Sequence, residues 1–167
     1  MRRMLLTLST VFALVALAAP VDAQFNFGAQ GALITSVDTL SNLSNTYGLG
    51  ARVGFQAPLL PIGVLGQGVY YFPDAADYSY STYSLAASFR ISTPIISPYA
   101  LGGWQWRRTT SAGTTSRKNG AMFGVGVELN FGVSLFLEAN FEFHEEVPGM
   151  PDLDNNPIVI KGGITFG

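Results

Sequence analysis

The chain has no cysteine. Disulfide staples, thiolate catalysis and thiolate metal sites are thereby excluded. Histidine occurs once, at His144, so no metal centre can be assembled from histidine and cysteine ligands. No cofactor is expected. Charge is scarce as well: Asp, Glu, Lys and Arg make up 12% of the residues, against about a quarter in ordinary soluble domains. Past the N-terminal segment, no stretch approaches the roughly 20 apolar residues that a transmembrane helix requires. A domain that has little surface charge, no cross-links and no membrane helix needs another source of stability. Burial of closed β-structure in a bilayer supplies one.

The N-terminal segment, MRRMLLTLSTVFALVALAAPVDAQ, is set apart from the rest. Arg2 and Arg3 form a basic start, Met4 to Ala19 is apolar, and Val21-Asp22-Ala23 is a small-x-small cleavage site. These are the parts of a secretory signal peptide, predicted over residues 1–23. The arginine pair lacks the context of a twin-arginine signal, so export by general secretion is expected. Residues 24–167 remain as a single domain. They carry seven basic and ten acidic residues, a balance that argues against nucleic-acid binding.

What is plentiful is glycine, with 19 residues, and aromatic side chains, at 13%. They are arranged with period two. In GVGVELNFGVSLFLEANFEF, from Gly124 to Phe143, one parity reads Val125, Val127, Leu129, Phe131, then Leu135, Leu137, Ala139, Phe141, Phe143. The other parity holds glycine, asparagine, Glu128, Glu138 and Glu142. Period two is the signature of β-strands, whose successive side chains point to opposite faces.

The same pattern marks eight strands: about Phe25 to Val37, Thr46 to Ala57, Gly63 to Phe72, Tyr80 to Ser92, Tyr99 to Thr109, Ala121 to Phe131, Val133 to His144 and Ile158 to Phe166. Most are near the 9–11 residues that cross a bilayer at a tilt. In the fifth, YALGGWQWRR, the pattern leaves open whether Trp104 or Gln105 faces outward. Three connections are short and uncharged: Ala57 to Ile62, Thr93 to Pro98, and the turn at Gly132. Four are longer and polar: Asp38 to Asn45, Pro73 to Ser79, Thr110 to Gly120, and Glu145 to Pro157. Short turns at one end and long loops at the other are the asymmetry of a barrel with periplasmic turns and external loops.

The strand charges decide which face is which. Arg52, Arg90, Lys161, Glu128, Glu138 and Glu142 all share the small-residue parity. Were the apolar parity a soluble core, the solvent face would be nearly uncharged, unlike soluble surfaces. A basic residue facing lipid would cost roughly 2–4 kcal/mol at the midplane. The six are therefore expected inside as a paired lumen network, with Gln56, Gln67, Asn130 and Asn140 filling space around them, because a buried charge requires a partner. The expected fold is an all-β, eight-stranded antiparallel up-and-down transmembrane β-barrel.

The segments PYALGG, GVGVELNFG, LFLEANFEF and the final IKGGITFG together resemble the small outer-membrane β-barrel superfamily, which includes OmpX, the OmpA transmembrane domain and the opacity-type, porin-like surface proteins. The resemblance covers residues 24–167. It implies insertion by the barrel assembly machinery into the outer membrane of a Gram-negative-type bacterium, often without a known activity. Such chains commonly end on an aromatic residue, whereas here Gly167 follows Phe166.

Three further features bear on function. Outer-membrane lipid A deacylases of similar size carry His-x-Ser at the end of the penultimate strand. Here His144 is followed by Glu145 and Glu146, so the nucleophile is missing and no enzymatic activity is expected. Arg107, Arg108, Arg117 and Lys118 are expected in the third long loop as a candidate contact with lipopolysaccharide phosphates, which basic side chains suit. Tyr70, Tyr71, Phe72, Tyr78, Tyr80, Tyr83, Trp104 and Trp106 read as an aromatic girdle at the outer interface. The expected role is structural or one of surface interaction, by a monomer. A narrow channel for small solutes is the alternative, and a lipid-modifying enzyme a more remote one.

Overall fold

The computed structural model describes residues 24–35, 46–57, 60–73, 78–111, 114–143 and 157–167. The predicted signal peptide, His144 and its acidic neighbours, and most of the residues expected in long loops lie outside this set. The described residues form eight strands: β1 (Gln24–Thr35), β2 (Thr46–Gln56), β3 (Ile62–Phe72), β4 (Tyr78–Arg90), β5 (Ile96–Ser111), β6 (Thr114–Asn130), β7 (Ser134–Glu142) and β8 (Ile158–Phe166). Each pairs antiparallel with the next, and β8 pairs back onto β1, with Gly31 opposite Gly162, to close the barrel. Closure leaves no open sheet edge around the ring, which a bilayer requires because its core offers no water to unpaired backbone groups.

The short turns follow from local chemistry. Between β6 and β7, Gly132 adopts a φ of 85°, a conformation that costs glycine little. In the β4–β5 turn, the Ile96 amide donates to the Thr93 hydroxyl at 3.2 Å, and that hydroxyl donates to the Ile96 carbonyl. The β2–β3 turn is tied by the Gln56 side-chain amide, which donates to the carbonyls of Leu60 and Ile62, both at 3.0 Å. Gln56 thus braces the turn while keeping the inward parity of β2, where it lines the interior beside Arg52 and Arg90.

One expected loop is a strand. Thr110 to Gly120 reads as a loop because it is rich in serine, threonine, glycine and charge. The structure instead continues β5 to Ser111 and starts β6 at Thr114, with Arg107 opposite Lys118, Arg108 opposite Arg117 and Thr110 opposite Thr115. Threonine is β-branched and favours strands, and the two facing threonine hydroxyls lie 3.1 Å apart across the ladder. The β5–β6 hairpin is therefore the longest in the barrel, with strands of 16 and 17 residues.

The interior is not uniformly polar. Toward the long-connection end, Ala32, Ile34, Val69, Tyr71, Tyr80 and Val159 form a buried apolar cluster. Lower down, Leu65, Ala86, Tyr99, Leu101 and Met122 form another. Tyr71 and Tyr80 were expected in the girdle, but both point inward, with ring centroids 4.8 Å apart. Parity explains this, because Tyr71 shares its face with Gln67 and Val69. Glycine makes room for such rings. A Cβ on Gly126 would stand 2.6 Å from the Tyr99 hydroxyl oxygen, so only glycine lets that ring lie across β6.

Candidate functional site

Charge inside the barrel is stacked in three tiers, each tying strands that are not neighbours. At the short-turn end, Arg90 on β4 meets Glu128 on β6 at 2.9 Å. At the centre, Arg52 on β2 lies 3.5 Å from Glu138 on β7. Toward the long-connection end, Arg107 on β5 meets Glu142 on β7 at 3.3 Å.

The central tier is the most connected. Glu138 accepts from Gln67 at 3.0 and 3.3 Å, from the Tyr99 hydroxyl at 2.9 Å and from Asn140 at 2.7 Å. Gln67 stands on β3, on the far side of the barrel from β7, so this bond crosses the interior. Lys161 on β8 lies beside Glu138 in the strand register. Its ammonium donates to the Gln67 carbonyl oxygen at 2.6 Å instead, and Gln67 passes the connection on to Glu138. The Arg52 guanidinium also lies 3.9 Å above the Phe136 ring centroid, a cation–π contact that lowers the cost of its burial. Between Arg52, Arg90, Tyr99, Asn26 and Gln56 is a gap of about 10 Å³, the space of roughly one water molecule.

The upper tier contains the main departure from the sequence reading. Glu142 was expected to meet Arg52, Arg90 or Lys161. Its partners are Arg107 and Gln105, whose side-chain amide donates to it at 2.6 Å. Arg107 was expected in a lipopolysaccharide-facing loop, yet it is 5% exposed and its guanidinium lies over the Tyr80 ring. This also fixes β5: Gln105 and Arg107 point inward, while Trp104 and Trp106 point outward.

The outward face is the complement of the interior. Phe25, Phe27, Leu49, Val53, Tyr70, Phe72, Tyr83, Leu85, Phe89, Trp104, Trp106, Phe123, Val125, Leu135, Leu137 and Phe166 are all exposed there. Ten charged side chains fall among the described residues, and eight share the inward parity, Lys118 among them. The two outside are Arg108 and Arg117. They are exposed and stand directly opposite each other on β5 and β6. Of the four residues expected to form a basic contact, the fold thus sends two inward and leaves two outward as a facing pair.

A closed eight-stranded barrel, greasy outside with charge held within, defines the class: this is the fold of the small outer-membrane β-barrels. Neither a protein-family model nor a curated protein matches the chain. Solved structures do. The chain is similar to the N-terminal β-barrel domain of Pseudomonas aeruginosa OprF, with a TM-score of 0.66 at 14% identity over 87% of this chain and 98% of that one. It is also similar to Neisserial surface protein A, with a TM-score of 0.61 at 17% identity over 86% and 97%. A third likeness is to Ail, the attachment invasion locus protein of Yersinia pestis, solved in complex with the heparin analogue sucrose octasulfate; its TM-score is 0.52 at 17% identity over 86% and 97%.

Proposed function

We propose that this chain is an integral outer-membrane β-barrel with a structural or surface-interaction role, no enzymatic activity and an interior closed by its own side chains. The observation that carries the reading is the segregation of charge: eight of the ten described charged side chains lie on the inward parity, while the outward strands present aromatic and aliphatic groups. Outer-membrane lipid and lipopolysaccharide are the partners that this surface suits. The chain is exported through the signal peptide at residues 1–23, inserted by the barrel assembly machinery and works as a monomer. Against a lipid A-modifying enzyme stands Glu146, where a serine would be needed two residues after His144.

A closed interior is favoured over a narrow channel because three ion pairs and two apolar clusters bridge it at successive heights. The test joins two measurements on protein folded into vesicles. Unheated protein should migrate faster than heated protein on a denaturing gel, since a closed barrel resists detergent. In planar bilayers it should give no stepwise currents. A soluble, detergent-independent monomer would contradict the membrane reading, and stable unitary currents would put the channel first.

A further inference from the structure

Among the described residues, Arg108 and Arg117 are the only charges on the outward face: we propose that they form a clamp for the phosphate of a glycolipid in the adjoining membrane leaflet. The proposal rests on the outer-membrane reading above and adds a ligand group and a place. The two residues are directly opposite across the β5–β6 ladder, a position that brings their Cβ atoms to about 5 Å. Like charges so placed repel each other. No carboxylate among the described residues forms an ion pair with either of them; the carboxylates Glu128, Glu138 and Glu142 are all taken inside. The other neighbour of Arg108 in the sheet is Ser81 on β4, which adds a hydroxyl and no charge.

An anion between the two guanidinium groups turns this repulsion into attraction. A phosphate matches them best, because its oxygens accept paired N–H donors from planar guanidinium groups. Position selects a lipid over a soluble ligand. Arg108 is two residues beyond Trp106 on the same face, a rise of about 7 Å along the strand. Trp106 stands opposite Tyr83, and both are exposed. Rings of this kind settle at the headgroup level of a bilayer, so the two arginines stand where headgroup phosphates lie, on the side wall of the barrel.

The test uses the isolated protein in zwitterionic phospholipid vesicles. These are doped with dansyl-labelled lipid A that either carries its phosphates or has had them removed. Energy transfer from Trp104 and Trp106 reports how strongly the label gathers at this wall. The phosphorylated form should be enriched roughly tenfold over the dephosphorylated form, the equivalent of one good charge-assisted contact. R108Q/R117Q should abolish the preference. R117E should do the same while supplying Arg108 with an internal partner. Equal transfer from both lipids, or an unchanged preference in the variants, overturns the clamp. Loss of the preference on adding a soluble sulfated glycan of the heparin type also overturns it, in favour of a soluble polyanion. Gel migration of unheated samples separates the two levels: failure of the wild type to fold into vesicles rejects the outer-membrane reading, whereas a folded barrel without phosphate preference rejects the clamp alone.

Discussion

Arg107 and Arg108 are adjacent in the chain and have opposite surroundings. Arg107 lies inside, against Glu142 and the Tyr80 ring. Arg108 lies outside, facing another arginine. One step along a strand separates a charge enclosed with its counter-charge from a charge presented to the surroundings. The contrast teaches that the interior ties each of its three carboxylates to an arginine on a distant strand, while among the described residues the outer wall carries charge only above the aromatic row. The first arrangement ties the barrel together, and the second is the one proposed to hold phosphate.

The largest effect should come from the centre of the enclosed set. E138M removes the acceptor shared by Arg52, Gln67, Tyr99 and Asn140 and leaves buried cations uncompensated. It should destabilise the barrel by about 3–5 kcal/mol, measured by urea unfolding in vesicles. Next is the head-to-head comparison of neighbours. R107M strands the buried Glu142 carboxylate and should cost about 3 kcal/mol, whereas R108M should change stability by less than about 0.5 kcal/mol. Equal losses would erase the distinction between the two faces. A smaller cost, about 1–3 kcal/mol, is expected for G126A. The added methyl meets the Tyr99 ring, and the near-ultraviolet circular dichroism of the tyrosines should change with it. The smallest effect is at the rim: R117E exchanges a repulsion for an exposed ion pair and should stabilise by at most about 0.5 kcal/mol. That gain should fade in 1 M salt, while the penalty of E138M should persist there.

The alternation that marks the strands is the same feature that sorts side chains between the outer wall and the interior, so both were legible together. The strand from Ile158 to Phe166 is found with the expected bounds. Glu128, Glu138 and Lys161 carry the parity that the apolar alternation assigns them. The fifth strand was ambiguous because Gly102 and Gly103 blank out its centre and Trp-Gln-Trp-Arg is amphipathic on both sides. Its signal lay in the pair Trp104 and Trp106, which share a parity and belong together at an interface. Arg107 was misplaced for a related reason. Four basic residues near one another in sequence read as one cluster, but period two divides any consecutive pair between faces. The extended hairpin was hidden by composition, since Thr109, Thr110, Thr114 and Thr115 suit a solvated strand as well as a loop. Cross-barrel partners were beyond the sequence. That Gln67 links Lys161 to Glu138 depends on barrel diameter and on which strands face each other, and neither is written in local periodicity.

The most direct test of the central claim, apolar face in lipid and charges within, uses the two native tryptophans. Both Trp104 and Trp106 are on the outward parity, and the chain has no others. In vesicles, their fluorescence should be strongly quenched by lipid tails brominated near the headgroup, and less by aqueous acrylamide than in the urea-unfolded chain. Quenching by acrylamide with no response to brominated lipid would place this face in water and contradict the account.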